Sequence, residues 1–330
     1  MYKSLLTIFF SLFFFCVSPA FSAEFTLKTV NDKEAVCNNG KMANYWFAEQ
    51  KSKKWLVQFP GGGAAWSAKN YSKRGSDKKE PVRLADGGTM ALSKSSIAKQ
   101  FYDSGYNVLM LHYCSSDLYA GNHINNIKGK KVPFKGRKIV ETIVSEYASE
   151  FQGADDLVIA GTSAGVYGTV LNIDLWKKFP NTRLILDSIW RDDYQKSLKT
   201  PDKGWTKFPL GAMPSHCKGD FYKYCGISRK TLEANGIEEA FIIFNFGDPY
   251  NWAKKDSQKK KFVTAFEKDA NKFGGGFSVD AKKYKLAGAE KWGHGLLTQS
   301  KFYNKKIGSS SLSAAIQIWV ETGNSVHIHY

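Results

Sequence analysis

Acidic residues are scarce in this chain relative to basic ones. Only 30 Asp and Glu stand against 47 Lys and Arg, a formal charge of +17. The cations cluster at 51–54, 73–79, 128–138 and 254–261. Such a surface attracts anionic polymers and anionic lipid. No nucleic-acid-binding motif accompanies it, so nucleic acid is not an expected partner. Repeats of 20 to 50 residues and low-complexity tracts are missing too, which excludes a repeat array or a disordered scaffold. No Cys-x-x-Cys or His-x-x-His pair occurs, which makes zinc a weaker reading than disulfides for the cysteines; no metal or other cofactor is expected. Past the amino terminus no apolar run is long enough to span a bilayer, which takes about 20 residues.

The amino terminus itself has the form of a signal peptide. Lys3 precedes an apolar run, Leu5 to Val17, broken only by Thr7 and Ser11, and small residues follow at Ser18, Ala20, Ser22 and Ala23. Residues 1–23 are therefore expected to be removed and the remainder, 24–330, to be secreted or periplasmic. Cleavage removes Cys16 and leaves Cys37, Cys114, Cys217 and Cys225. An even count in an exported chain points to two disulfides, with three connectivities open. The short separation of Cys217 and Cys225 in a polar segment favours a local bridge, which leaves Cys37 for Cys114.

Five short apolar runs read as buried parallel strands: 55–59, 107–112, 157–160, 183–187 and 241–246. Each is bounded by Gly, Pro, Asn or Asp. Helical patterns lie between them. Residues 138–151 place Ile139, Ile143, Tyr147 and Phe151 on one face, and 166–177 suits a second helix. Strands alternating with helices predict an α/β fold with a mostly parallel sheet covered on both faces. The strand ends then share one edge, where open α/β sheets place their ligands. Residues 67–90, and 191–226 with its prolines and Cys pair, read as insertions outside the sheet, the second as a cap over the site. A final strand is expected near 283–286. No linker divides 24–330 into two domains.

Gly161-Thr162-Ser163-Ala164-Gly165 follows a predicted strand and precedes a predicted helix. That is the setting of the G-x-S-x-G turn of α/β-hydrolases, in which small neighbours let the chain bend tightly enough to expose the serine hydroxyl. Ser163 is the expected nucleophile. Its hydroxyl needs a base, and such enzymes carry an acid and then a histidine downstream. Of His216, His294, His327 and His329, His294 is favoured, because glycines flank it in Lys291-Trp292-Gly293-His294-Gly295. The last two lie at the fraying terminus and His216 in the cap. Asp248, directly after the strand at 241–246, is the expected acid, with Asp187 as competitor. Pro60-Gly61-Gly62-Gly63 follows the strand at 55–59, so the N–H groups of Gly62 and Gly63, with that of Ala164, are the expected oxyanion donors. A phosphate-cradling loop is the weaker alternative, since Ala64-Ala65-Trp66 stands where Gly-Lys-Ser/Thr is required.

Several separate motifs, in order from about Val36 to Leu297, resemble the pectin acetylesterase family, whose animal members include a lipid-removing esterase. Cys37-Asn38-Asn39-Gly40 with Ala43-Asn44-Tyr45, Trp55-Leu56-Val57 with the three glycines, Tyr113-Cys114-Ser115-Ser116-Asp117 and the stretch 157–172 all look like family segments. Asp187-Ser188 resembles a structural Asp-Ser of that family, which demotes Asp187 as the acid, and the regions of Asp248 and His294 fall where the family keeps its acid and base. The resemblance implies metal-free hydrolysis of carboxylic esters by a Ser-Asp-His triad, with acetyl esters of a polysaccharide as the leading substrate and an acidic glycan as a partner suited to the charge. An esterase acting on a lipid or acylated protein, or a binding protein that keeps the fold without catalysis, are the rival expectations. Pro60, Ala64-Ala65-Trp66 and Ala164-Gly165-Val166 depart from the family pattern around the acyl pocket.

Overall fold

The computed structural model describes residues 24–65, 67–74, 89–91, 96–190, 215–217, 225–245, 256–279, 294–298, 303–323 and 326–329. The expected signal peptide, Asp248, the strand near 283–286 and most of the expected cap at 191–226 lie outside them.

The strands are β1 (Glu24–Thr29), β2 (Asn44–Ala48), β3 (Lys54–Phe59), β4 (Thr89–Ala91), β5 (Asn107–Leu111), β6 (His123–Ile127), β7 (Lys130–Phe134), β8 (Asp156–Thr162), β9 (Thr182–Asp187), β10 (Ala240–Asn245), β11 (Gly274–Val279) and β12 (Val326–His329). Ten of them form one sheet in the order β12-β11-β10-β9-β8-β3-β5-β2-β1-β4, while β6 and β7 form a separate hairpin. From β12 to β5 every pairing is parallel, and the antiparallel pairs are confined to β5-β2, β2-β1 and β1-β4. The five strands expected from apolar runs are β3, β5, β8, β9 and β10.

The runs are continuous rather than alternating because both faces are covered. Val57, Ile159, Leu184 and Ile242 point to one side, Leu56, Val158, Ile185 and Ile243 to the other, and all eight are fully buried. Burial of each such side chain stabilises the fold by about 1.5–3 kcal/mol. The first face packs under α3 (Gly136–Glu146), α4 (Ala148–Gln152), α5 (Ala164–Leu171), α6 (Ile173–Trp176), α7 (Arg229–Ala234) and α8 (Asp256–Phe273). The second packs under α2 (Ser96–Asp103) and α9 (Leu312–Thr322). A short helix, α1 (Ala68–Arg74), follows the glycine-rich turn.

Three sequence expectations are corrected. Residues 67–90 are not wholly outside the sheet: Thr89–Ala91 pairs with β1 at its edge. The helix expected over 138–151 is two helices, α3 and α4, parted at Tyr147 (φ −114°, ψ 19°), although Ile139, Ile143, Tyr147 and Phe151 are all buried as the spacing predicts. The helix expected over 166–177 breaks at Asn172, which is fully buried and donates from Nδ2 to the carbonyls of Tyr119 (3.0 Å) and Gly168 (2.7 Å). A side chain that bonds its own i−4 carbonyl offers the backbone an alternative to the helix.

Both disulfides pair as expected. Cys37–Cys114 joins the loop before β2 to the segment after β5, with Cα atoms 5.0 Å apart, and Cys217–Cys225 closes a local loop at 5.5 Å. Among the described residues no helix is long and apolar enough to cross a membrane. The parallel strands β3, β8, β9 and β10 bring residues 60–65, Ser163, Asp187-Ser188 and Asn245 to one edge of the sheet.

Candidate active site

Ser163 stands between the end of β8 and the start of α5 at φ 55° and ψ −116°, a left-handed backbone that an L-residue adopts only under strain. The glycines of the motif make that bend possible. A Cβ on Gly161 would meet the Gly165 carbonyl oxygen at 2.5 Å, and one on Gly165 would lie 1.8 Å from the carbonyl oxygen of Phe59. Helix α5 is thereby drawn onto β3 with its first turn behind the serine. The Ser163 N–H donates to the Asp187 carbonyl (3.0 Å), which fixes the turn to the end of β9.

His294 reaches this turn from 131 residues away, and its Nε2 lies 2.6 Å from Ser163 Oγ. That is direct hydrogen-bonding contact between a hydroxyl and an imidazole. The end of β9 sets the position of the histidine loop. Gly295 N–H donates to Ser188 Oγ (2.6 Å), Leu297 N–H donates to Asp187 Oδ2 (2.9 Å), and Ser188 Oγ donates to Asp187 Oδ1 (2.8 Å). Leu296 and Leu297 plug the second face of the sheet, fully buried. Burial pushes the Asp187 carboxyl up to about 6, against the pull of the Leu297 N–H, the Ser188 hydroxyl and the nearby His294.

The turn at 60–63 lies against the serine. A Cβ on Gly61 would meet Thr162 O at 3.0 Å and Ser163 Cβ at 3.1 Å. Gly62 is covered by Tyr113, whose Cδ1 would be 2.5 Å from an added Cβ, and Gly63 has φ +68°. Opposite, Ala164 occupies the first helical position of α5, where no intrahelical carbonyl precedes the N–H. Gly61 thus lies against Ser163, Gly62 and Gly63 continue the same turn, and Ala164 follows the serine directly.

The other histidines stand apart. His216 faces Asp174 (3.3 Å) and the Cys217–Cys225 bridge, with Nε2 3.5 Å from Cys217 Sγ. Both sulfurs of that group are held in the disulfide and so offer no thiolate to a metal. His327 and His329 are in β12, in register with Gly276 and Ser278 of β11. A cleft of about 860 Å³ opens at the opposite edge of the sheet, among Lys54, Asp156, Arg183 and Glu239, and shares no residue with the Ser163 turn. The sequence marked Asp187-Ser188 as a structural pair by resemblance, but not that the pair holds the histidine loop. That hold follows from pairings across 107 and 110 residues, which no local pattern reports.

Comparison with known proteins gives consistent results. The family model for pectinacetylesterase matches residues 18–186, just over half of the chain. Palmitoleoyl-protein carboxylesterase Notum of Schmidtea mediterranea is 29% identical over 189 residues, 51% of this chain and 34% of that protein. Its mouse counterpart is 27% identical over 165 residues, 48% of this chain and 33% of that protein. The matched segment thus spans about a third of these relatives. A solved structure of the Wnt deacylase Notum from Drosophila superposes with a TM-score of 0.65 at 19% identity, covering 93% of this chain and 96% of the other, a likeness of fold.

Proposed function

The chain belongs to the pectinacetylesterase family, and from that premise we propose that it is an exported serine carboxylesterase that removes acetyl esters from a polysaccharide. The observation that carries this reading is the 2.6 Å contact between Ser163 Oγ and His294 Nε2. In the proposed reaction His294 takes the proton as Ser163 Oγ attacks the ester carbonyl. Asp248 orients the imidazole and stabilises the imidazolium. The oxyanion is received by the N–H groups of Gly62, Gly63 and Ala164, each such donor contributing about 3–4 kcal/mol at the transition state. His294 then protonates the departing alcohol, and water repeats the sequence on the acyl-enzyme. The charge of +17 suits an acidic glycan as the carrier of the ester, and two disulfides suit an oxidising compartment outside the cytosol.

A second reading has one specific support: relatives sharing 26–30% identity are named as palmitoleoyl-protein carboxylesterases. Hydrolysis of p-nitrophenyl esters of increasing chain length separates the two. A rate that is highest for acetate and falls steeply with length, together with acetate release from acetylated pectin, supports deacetylation. A preference for long chains supports the acylated-protein reading. No turnover, with no labelling of Ser163 by a fluorophosphonate, overturns both and leaves a binding protein on the hydrolase fold. Ser163→Ala is expected to abolish turnover with the folded state intact.

A further inference from the structure

The segment Tyr113-Cys114-Ser115-Ser116-Asp117 has no part in the reaction proposed above, yet it is built against the glycine turn. Three glycines in succession have no side chains by which to hold a conformation, and at Gly61 and Gly62 no side chain could be added without striking Thr162, Ser163 or Tyr113. The rigidity that an oxyanion site requires must therefore come from outside the turn.

Two phenols supply it. At the entry, Tyr119 Oη donates to the Pro60 carbonyl (2.8 Å). At the exit, Tyr113 Oη donates to the Gly63 carbonyl (2.7 Å) while accepting from the Leu118 N–H (2.8 Å). The peptide planes that carry the N–H groups of Gly62 and Gly63 lie between those two fixed carbonyls. The tyrosines also brace each other, their rings stacked at 4.2 Å and 24°.

The support continues outward. Tyr119 packs edge-on against Phe59 at 5.0 Å, and a Cβ on Gly168 would come within 2.6 Å of its ring. Ser116, Leu118 and Tyr119 all hold left-handed φ values of 55°, 61° and 61°, which a free loop would relax. The fully buried Asp117 carboxylate pins them, accepting from Ser115 Oγ (2.6 Å), Tyr119 N–H (3.1 Å) and Gly136 N–H (2.8 Å). The Cys37–Cys114 bridge and Asn38, whose Nδ2 donates to the Ser115 carbonyl (2.9 Å), tie the same segment to the loop before β2.

We propose that Tyr113 and Tyr119 are positioning residues for ester hydrolysis, their hydroxyls clamping the two ends of the Pro60–Gly63 turn so that its N–H groups stand ready for the oxyanion. The inference rests on the esterase reading above. It is tested on the whole protein with Tyr113→Phe, Tyr119→Phe and the double variant, each retaining its ring. Tyr45→Phe is the control, since it removes a buried hydroxyl bonded to Glu146 (3.0 Å) and close to Tyr147 (3.1 Å), away from the turn. Interactions made only in the transition state lower kcat and leave KM in place. Each single clamp variant is expected to lose about tenfold in kcat with KM within about twofold, and the double variant more. Affinity for a trifluoromethyl ketone, which binds as an oxyanion, should fall by the same factor as kcat/KM. Tyr45→Phe should shift the melting temperature and leave kcat unchanged.

Clamp variants that keep kcat and inhibitor affinity, or that lose activity only in proportion to folded protein by fluorophosphonate titration, overturn the inference while wild-type labelling at Ser163 keeps the esterase reading. Wild-type protein unlabelled at Ser163 overturns both. Should Tyr113→Phe not fold, Tyr119→Phe reads the other end of the turn independently.

Discussion

Two aspartates compete for the place beside His294, and paired substitutions separate them. Asp187 has both carboxylate oxygens engaged, one by Ser188 Oγ at 2.8 Å and the other by Leu297 N–H at 2.9 Å. On the assignment proposed above it holds the loop that carries the imidazole, and Asp248 holds the ring. In Asp187→Asn one of these acceptors becomes an NH2 group that faces a donor. A hydrogen bond to a charged group contributes about 1.5–3 kcal/mol, and a buried donor left unpaired costs about 1–3 kcal/mol. Part of this is recovered, because Ser188 Oγ can rotate to accept. A net loss of about 2 kcal/mol follows, which is about 3 °C in melting temperature for a chain of this size. The effect on kcat should stay within about tenfold, because the ring keeps its own orienting partner. Asp248→Asn is expected to do the reverse, costing about 10⁴-fold in kcat through the wrong imidazole tautomer with little change in melting temperature. The assay is hydrolysis of p-nitrophenyl acetate, normalised by active-site titration, beside thermal unfolding of each variant. A 10⁴-fold loss in Asp187→Asn at unchanged stability, with Asp248→Asn still active, would falsify the assignment and make Asp187 the acid.

Glycine substitutions probe the turns. Gly165→Ala places a Cβ 1.8 Å from a backbone oxygen, so it should destabilise the fold by about 3 kcal/mol or more and reduce the yield of folded protein. Gly62→Ala meets the Tyr113 ring instead, and should leave a folded protein whose kcat is down by about 10²-fold, measured after titration of active sites. Removing the Cys37–Cys114 bridge, which spans 77 residues of sequence, should cost about 4 kcal/mol by chemical denaturation, and a smaller loss would mean a denatured chain already compact there. Burial raises Asp117 from its ordinary 3.8 to about 7 against the pull of Ser115 and Gly136. Its stabilising contribution is therefore complete below about pH 3.8 and is lost as pH rises through about 7, with Asp187 following the same sign at about 6. The stability of the wild type relative to Asp117→Asn should decline between pH 4 and 8, and a difference independent of pH would show that the carboxyl does not titrate in that range.

The central strands were legible because a strand buried on both faces needs an unbroken apolar run, and 157–160 or 241–246 have no other economical reading. Strand β1 was missed because polar and apolar residues alternate in it beyond the parallel core, and β2 because its buried run, Tyr45 to Ala48, is only four residues long. The β6–β7 hairpin, with Asn125, Asn126 and two adjacent lysines, carries little strand propensity and owes its form to packing of Ile127, Val132 and Phe134 on Ala65 and Tyr71. The long helix α8 follows no strong apolar period, and its tertiary contacts with β10 and β11 decide it. At the breaks, Asn172 bonds both the Gly168 carbonyl one turn back and the Tyr119 carbonyl across the fold, and Tyr147 meets Tyr45 of β2.

What the sequence determined by itself was the chemistry of one short stretch. Gly161 to Gly165 after an apolar strand allows the tight bend that turns out Ser163, half-buried, at the strand end, because the steric limits on that turn are local. The histidine could be narrowed to His294 by flanking glycines and chain order. Which groups hold the loop that carries His294, and why Tyr113 and Asp117 belong beside three glycines, was decided only in the folded chain. Those contacts join β3, β5, β9 and the residues before α9 at one sheet edge, and their distances depend on strand order, which no residue carries alone.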